Sequence, residues 1–294
     1  MENLAIIGSG WVGRSSGKVF LEKGHKVLFS DINPEVITEL KEQGLDAVSV
    51  FKLHERIKEA NSFLVSVSTP TSGDEIQLNF IRAAIAGLGE LTAEKDDWFL
   101  VVVRSTVPPG TTEEVLIPIL EKYSGKKAGK DFGVCMNPEY LRQDHAEKDF
   151  ADPKVIVSGC YLNDPKSFEK LGKIYEPLKV PIEKVSIREA EMHKYVHNLW
   201  NATKISYFNE MRMMAEKLGV NADKIFPLVV KSAEASWNPE YGTRNFGPYG
   251  GTCLPKDTLA FMTWAKNYHK KPLPLLKSVI KVNEMVKDKM NNNH

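Results

Sequence analysis

Short apolar runs separated by helix-length stretches dominate the first 190 residues. The runs at 4–7, 26–30, 63–67, 98–103 and 132–136 are almost continuously apolar rather than alternating, and most run straight into Gly, Ser, Asn or Asp. Runs of that length fit strands buried on both faces, as in a parallel sheet covered by helices. Helical stretches fill the gaps after Gly10, after Pro34 and over 79–91, with a short strand near 47–50 and a second helix near 54–60. Residues 154–158 and 184–187 read as the last strands. The pattern predicts an α/β fold: a Rossmann-type, doubly wound parallel sheet over 1–187.

From 188 the pattern changes. Residues 188–218 read as one helix of roughly 30 residues, hence roughly 45 Å long, closed by Gly219 as its C-cap. Met192, Val196, Leu199, Ile205 and Met211 recur along it at helical spacing, which suits a helix shared between two domains or two subunits. Further helices are expected over 221–236, from Thr258 onward and over 275–290. A mostly helical second domain over 188–294, built on that long central helix and serving dimerisation, completes the expectation.

Composition narrows the classes. With 294 residues, 42% hydrophobic and 26% charged, the chain has material for one large or two moderate domains. Lys and Arg number 39 against 38 Asp and Glu, a net charge of +1, so no overall field recruits nucleic acid or an anionic membrane. No apolar run approaches the roughly 20 residues of a membrane span, and a strand beginning at Asn3 leaves no room for a cleaved signal. Cys135, Cys160 and Cys253 are far apart and odd in number, which argues against a disulfide framework and for a reducing, cytoplasmic setting.

Two stretches carry candidate chemistry. Leu4-Ala5-Ile6-Ile7 runs into Gly8-Ser9-Gly10-Trp11-Val12-Gly13 and then a helix. In such a unit the glycines allow the tight turn, the approach of backbone to a pyrophosphate and close packing of helix on strand. Gly8, Gly10, Trp11, Val12 and Gly13 are therefore candidate cofactor contacts. Asp31, at the end of the second strand, stands where a carboxylate bonds the adenosine ribose and repels a 2′-phosphate, so NAD is preferred over NADP. Thr69, delivered by the 63–67 strand, is a further cofactor candidate. The other stretch is Phe246-Gly247-Pro248-Tyr249-Gly250-Gly251-Thr252-Cys253-Leu254-Pro255-Lys256-Asp257. Paired glycines, a soft nucleophile and a Lys-Asp pair read as an active-site loop, with Lys256 close enough in sequence to assist the thiol.

Gly-Gly-Thr-Cys-Leu-Pro-Lys-Asp resembles the catalytic-cysteine signature of the nucleotide-sugar 6-dehydrogenases, the UDP-glucose and GDP-mannose dehydrogenase family. Ser105-Thr106-Val107-Pro108-Pro109-Gly110-Thr111 matches that family's Ser-Thr-Val-Pro-Pro-Gly-Thr. Asn137-Pro138-Glu139-Tyr140-Leu141-Arg142 is similar to its Asn-Pro-Glu-Phe-Leu-Arg, and Val282-Asn283-Glu284 to its last helix. Lys194 and Asn198, four apart on one helix face, match its catalytic pair, a spacing shared with the β-hydroxyacid dehydrogenases. The resemblance implies NAD as cofactor, contacted also by Thr106 and Lys256, and oxidation of a sugar-nucleotide alcohol to an acid. It implies catalytic roles for Cys253, Lys194, Asn198, Asp257, Thr106 and Glu139. Substrate contacts would come from Glu139, Tyr140, Leu141, Lys194, Asn198, Tyr249 and Gly250, with Arg244 reaching across a homodimer.

Departures accompany the match. Gln143 stands where the family usually has a second Glu; an amide still hydrogen-bonds but does not titrate. The segment between residues 34 and 62 is shorter than in the family. Family members also continue for about another domain's length. A partner chain supplying that part, a substrate without a nucleotide, and a signature surviving in a protein that no longer runs the full reaction are the three explanations. The alternatives are a two-domain β-hydroxyacid dehydrogenase using Lys194 and Asn198 with Cys253 idle, or a non-catalytic NAD-binding scaffold. His193 and His197 are not read as a metal pair, since no HExxH pattern or third ligand accompanies them; a solvated or subunit-facing surface is expected there, and no metal.

Overall fold

The computed structural model describes every residue except 73–74, 143–144, 240, 243–246, 252, 271 and 293–294, with backbone alone for 268–269. The chain forms two compact units, Met1–His197 and Asn198–His294. In the first, strands β1 (Asn3–Ile7), β2 (Lys26–Asp31), β3 (Ala47–Ser49) and β4 (Ser62–Val65) are followed by a small antiparallel pair, β5 (Thr71–Ser72) and β6 (Glu75–Ile76). Then come β7 (Phe99–Val103), β8 (Phe132–Met136), β9 (Ile156–Cys160) and β10 (Ile182–Val185). Eight of them make one sheet in the order β10-β9-β8-β7-β4-β1-β2-β3. Helices α1 (Trp11–Glu22), α2 (Pro34–Glu42), α3 (Asn79–Thr92), α4 (Ile117–Ser124), α5 (Ala146–Ala151) and α6 (Pro165–Tyr175) connect them.

The continuous apolar runs work as two-sided strands because successive side chains point to opposite faces. Phe63, Val65, Phe99, Val101 and Val103 pack with Ile81, Ile85 and Leu88 of α3 on one face. Leu64, Leu100 and Val102 pack with Val19 and Phe20 of α1 and Leu171 and Ile174 of α6 on the other. The segment expected as a helix near 54–60 instead makes 3-10 turns at Val50–Glu55 and Ile57–Glu59, since so few residues cannot offset the cost of nucleating an α-helix.

The sheet departs from the all-parallel expectation at one edge. β9 runs antiparallel to β8, and β10 runs parallel to β9, so these two strands are reversed. Apolar runs mark residues as strand but carry no direction. The reversal sets Cys135 opposite Cys160 in the β8–β9 register, where the two are joined as a disulfide. This corrects the expectation drawn from wide spacing and odd number: residues 25 apart in the chain are cross-strand neighbours in the sheet.

Helix α7 (Ile187–Lys217) opens with Ile187 and Ala190 buried in the sheet's core. The second unit continues α7 and adds α8 (Ala222–Ser232), α9 (Glu234–Trp237), α10 (Cys253–Trp264) and α11 (Pro274–Asn291). Its small core joins Met214, Ala265 and Leu273, with Met211, Phe261, Trp264 and Leu276 packed against them. Buried Glu210 of α7 accepts from Leu275 N and Leu276 N, capping α11. Helix α10 begins at Cys253 rather than Thr258. Pro255 falls in the first turn, where a missing N–H costs nothing, and Thr258 Oγ1 bonds back to the Leu254 carbonyl at 2.8 Å. Among the described residues no helix is long and apolar enough to cross a membrane.

Thiol titration checks the disulfide. The protein denatured without reductant should react as one thiol per chain, and as three after reduction. Because the bond closes a loop of about 25 residues, its reduction is expected to lower stability by about 3 kcal/mol in chemical denaturation; three reactive thiols before reduction would exclude the bond.

Candidate active site

The turn after β1 is built by backbone that side chains would obstruct. Gly8 has φ +86°, and a Cβ there would lie 2.9 Å from the Ser66 carbonyl oxygen; a Cβ on Gly13 would lie 2.1 Å from that of Gly8. Gly10 differs, since its Cβ would meet nothing within 4 Å. It borders a groove of about 620 Å³ lined by Trp11, Arg14, Ser15, Val36 and residues 145–148. No side chain caps the N-terminus of α1, so the first amides of the helix, at Trp11 and Val12, are available to an anion. Asp31 is oriented by backbone: Oδ2 accepts from Ser9 N at 2.7 Å and Oδ1 from Asn33 N at 2.8 Å. An uncapped helix end beside open space, and a carboxylate aimed by two amides, fit a pyrophosphate and an adenosine ribose.

Strand order reverses between β1 and β4, which opens a crevice at the C-terminal ends of the strands. The loops after β4 and β7 are tied together there. Thr69 Oγ1 donates to the Thr106 carbonyl at 2.7 Å, and Ser105 Oγ donates to the Val67 carbonyl at 2.6 Å. The far end of the Thr106 loop is held by a residue that sequence reading passed over. Glu191 of α7, fully buried, accepts from Gly110 N at 2.5 Å and Thr112 N at 2.8 Å. Burial pushes its carboxyl above the usual range, with the bonds from Thr112 and Gly110 opposing. The signal in the sequence is an acid three residues before Lys194, on the same helical face.

Lys194 and Glu139 come together. Asn137, at the end of β8, is buried and fixed by a bond from its Nδ2 to the Val157 carbonyl at 2.8 Å and one from Tyr175 Oη to its Oδ1 at 2.5 Å. Two residues on, Glu139 Oε2 accepts from Leu141 N at 2.7 Å, while Oε1 lies 3.0 Å from Lys194 Nζ. Lys194 also donates to the Glu139 carbonyl. These side chains are 7% and 12% exposed, so the charges face each other with little water between. Asn198, four residues further along α7, is exposed.

His193 is exposed and His197 half-buried, in keeping with the solvated surface expected of them, and both rings pack against Tyr140. Tyr140 Oη is 2.7 Å from His193 Nδ1, and its ring is 4.6 Å from that of His197. Burial and then Glu139 push the Tyr140 hydroxyl above its ordinary range. Burial pulls both histidines below theirs, with Lys194 adding to the effect on His197. An aromatic residue in the Asn-Pro-Glu-Tyr segment thus engages a pair whose i, i+4 spacing alone could not reveal its partner.

In the second unit, α11 supports the stretch that leads to the cysteine. Asn283 Nδ2 donates to the Tyr249 carbonyl at 3.1 Å, and a Cβ on Gly247 would lie 2.8 Å from Met290 Sδ. Gly250 is exposed, and Gly251 has φ +72°, a conformation suited to glycine. Cys253 is exposed at the first residue of α10. Lys256 Nζ pairs with Asp257 Oδ1 at 2.7 Å, the two side chains 70% and 67% exposed. Arg244 and Gln143 lie outside the described residues.

Two glycine variants separate folding from cofactor binding. Gly10→Ala should keep the unfolding temperature and lose NADH affinity by at least about tenfold, because the added methyl points into the groove rather than into protein. Gly13→Ala should lose both. NADH fluorescence titration with thermal unfolding reads the difference, and unchanged NADH affinity in Gly10→Ala would contradict the placement.

Comparison with known proteins agrees with these features. The family model described as "UDP-glucose/GDP-mannose dehydrogenase family, NAD binding domain" matches residues 2–179, and that family's "central domain" matches residues 188–285. GDP-mannose 6-dehydrogenase of Pseudomonas syringae pv. syringae is 34% identical over 299 residues, 95% of this chain and 67% of the relative. UDP-glucose 6-dehydrogenase of Haloferax volcanii is 33% identical over 312 residues, 98% and 70% of the two chains. A crystal structure of a ternary complex of GDP-mannose dehydrogenase from Pseudomonas aeruginosa superposes with a TM-score of 0.91 at 30% identity, covering 99% of this chain and 71% of that one. The chain therefore spans about two thirds of the length of these relatives. Its cofactor is NAD, held by the first unit, and the chain belongs to the UDP-glucose/GDP-mannose dehydrogenase family.

Proposed function

We propose that this protein oxidises the primary alcohol of a nucleotide sugar, of the UDP-glucose or GDP-mannose kind, to the uronic acid in two hydride transfers. The observation that carries the reading is Cys253 at the first residue of α10, between Gly250-Gly251 and Lys256-Asp257. Relatives 34% and 33% identical over nearly the whole chain are named GDP-mannose 6-dehydrogenase and UDP-glucose 6-dehydrogenase. A dehydrogenase that stopped at the aldehyde would have no use for the thiol.

Bound NAD supplies a hydride acceptor for each of the two oxidations. Asp257, or a water held by it and Thr106, takes the proton of the alcohol as the first hydride leaves carbon. Cys253 Sγ then bonds to the aldehyde carbon, giving a thiohemiacetal that keeps the intermediate on the protein. Loss of the second hydride leaves a thioester, and water beside Glu139 breaks the C–S bond, releasing the acid and the thiol. Lys194 and Asn198 donate to the oxygen that carries negative charge. The near-complete burial of Lys194 supports that role, because an ammonium shielded from water stabilises an oxyanion more strongly. One alcohol, one water and two NAD+ yield one carboxylic acid, two NADH and two protons. Met192, Val196 and Leu199, exposed at i, i+4 and i+7 on α7, support a homodimer through that helix.

A panel of UDP- and GDP-sugars tests the scheme, with NADH and acid counted together. Two NADH per acid are expected from one member of the panel. Cys253→Ser should bind NADH normally and form no acid. A ratio near one, or acid formation by Cys253→Ser at the parent rate, would reject the cysteine mechanism; a monomer in light scattering would reject the dimer.

A further inference from the structure

We propose that Glu191 is a positioning residue for the nicotinamide half of the cofactor: its buried carboxylate holds the loop that carries Thr106 in place. A carboxylate is costly to bury, and among the described residues no Lys or Arg forms an ion pair with Glu191. Its bonds go to backbone, one oxygen to Gly110 N and the other to Thr112 N. The loop is thus tied at its start by Ser105 and Thr69 and at its end by α7. Gly110, with φ +94°, makes the turn that presents its N–H to the helix.

Topology limits which half of the cofactor this can affect. The adenosine half belongs to β1 and β2, where the glycine turn and Asp31 lie. The second half belongs to the far side of the strand-order reversal, over β4 and β7, where Thr69 and Thr106 lie. The carboxylate is required rather than any acceptor: Gln at this position would offer one oxygen, and its NH2 group would face the second backbone N–H. The inference rests on NAD binding by the first unit and not on the cysteine chemistry.

Binding of NADH and of ADP-ribose to the full chain tests it, because ADP-ribose lacks the nicotinamide. Glu191→Gln should bind ADP-ribose as the parent does and NADH about tenfold more weakly, the scale of one unmet buried hydrogen bond. Glu191→Asp, which keeps both acceptor oxygens, should recover part of the loss. Parent-like NADH affinity in Glu191→Gln, or an equal loss for both ligands, would overturn the proposal. Should that variant not fold, hydrogen exchange on the parent decides: the Gly110 and Thr112 amides should be strongly protected, and exchange at the rate of an unstructured peptide would overturn it. Failure of the parent to bind either ligand would instead overturn the cofactor assignment, and this inference with it.

Discussion

A carboxylate withdrawn from water without a cation must be met by N–H groups, and α7 uses that constraint twice. In the first unit Glu191 takes the amides of Gly110 and Thr112. In the second, Glu210 takes those of Leu275 and Leu276. Each bond pair fixes backbone that no apolar contact could orient, since hydrophobic packing has no direction. Lys194, one turn past Glu191, adds a third attachment by gripping Glu139 through both side chain and carbonyl. The helix is therefore a polar scaffold as much as a packing element. Among the described residues, the charges of its inward face in the first unit, Glu191 and Lys194, are met by the loops after β7 and β8.

The sheet determines which loops those are. Parallel strands all finish at the same edge, so β1, β2, β4, β7 and β8 deliver the glycine turn, Asp31, Thr69, Thr106 and Glu139 to one side of the molecule. Apolar burial on both faces makes this arrangement stiff. The strands can then hold Thr69 against Thr106 through single hydrogen bonds. Asn137 shows the same economy at the end of β8, where one amide side chain satisfies both a carbonyl of β9 and the hydroxyl of α6's Tyr175.

Much of this was legible before folding. Continuous apolar runs located the strands, and β8 coincides with the run at 132–136. The glycine pattern located the turn, and the family resemblance, rather than the spacing by itself, singled out Lys194. What escaped was whatever depends on direction or on distant partners. Reversal of β9 and β10 leaves no trace in hydrophobicity, so the pairing of Cys135 with Cys160 was hidden with it. Glu191 escaped because its partners lie some 80 residues earlier and are backbone groups with no signature. The start of α10 was set five residues late, since a loop carrying paired glycines and a proline gives no sign of where the helix begins, and a first turn accepts Pro255.

The close passage of Gly159 against the chain entering α7 has its own consequence. A Cβ on Gly159 would sit 2.3 Å from the backbone of Ser186, so the helix is seated against the sheet before its first turn is complete. From that seat every residue advances the helix by about 100° and 1.5 Å. Adding or removing one residue between Ile187 and Glu191 would swing both grips more than a quarter-turn off their targets. The count of residues from Ile187 to Glu191 and Lys194 is thus set by geometry as firmly as the identity of those two side chains.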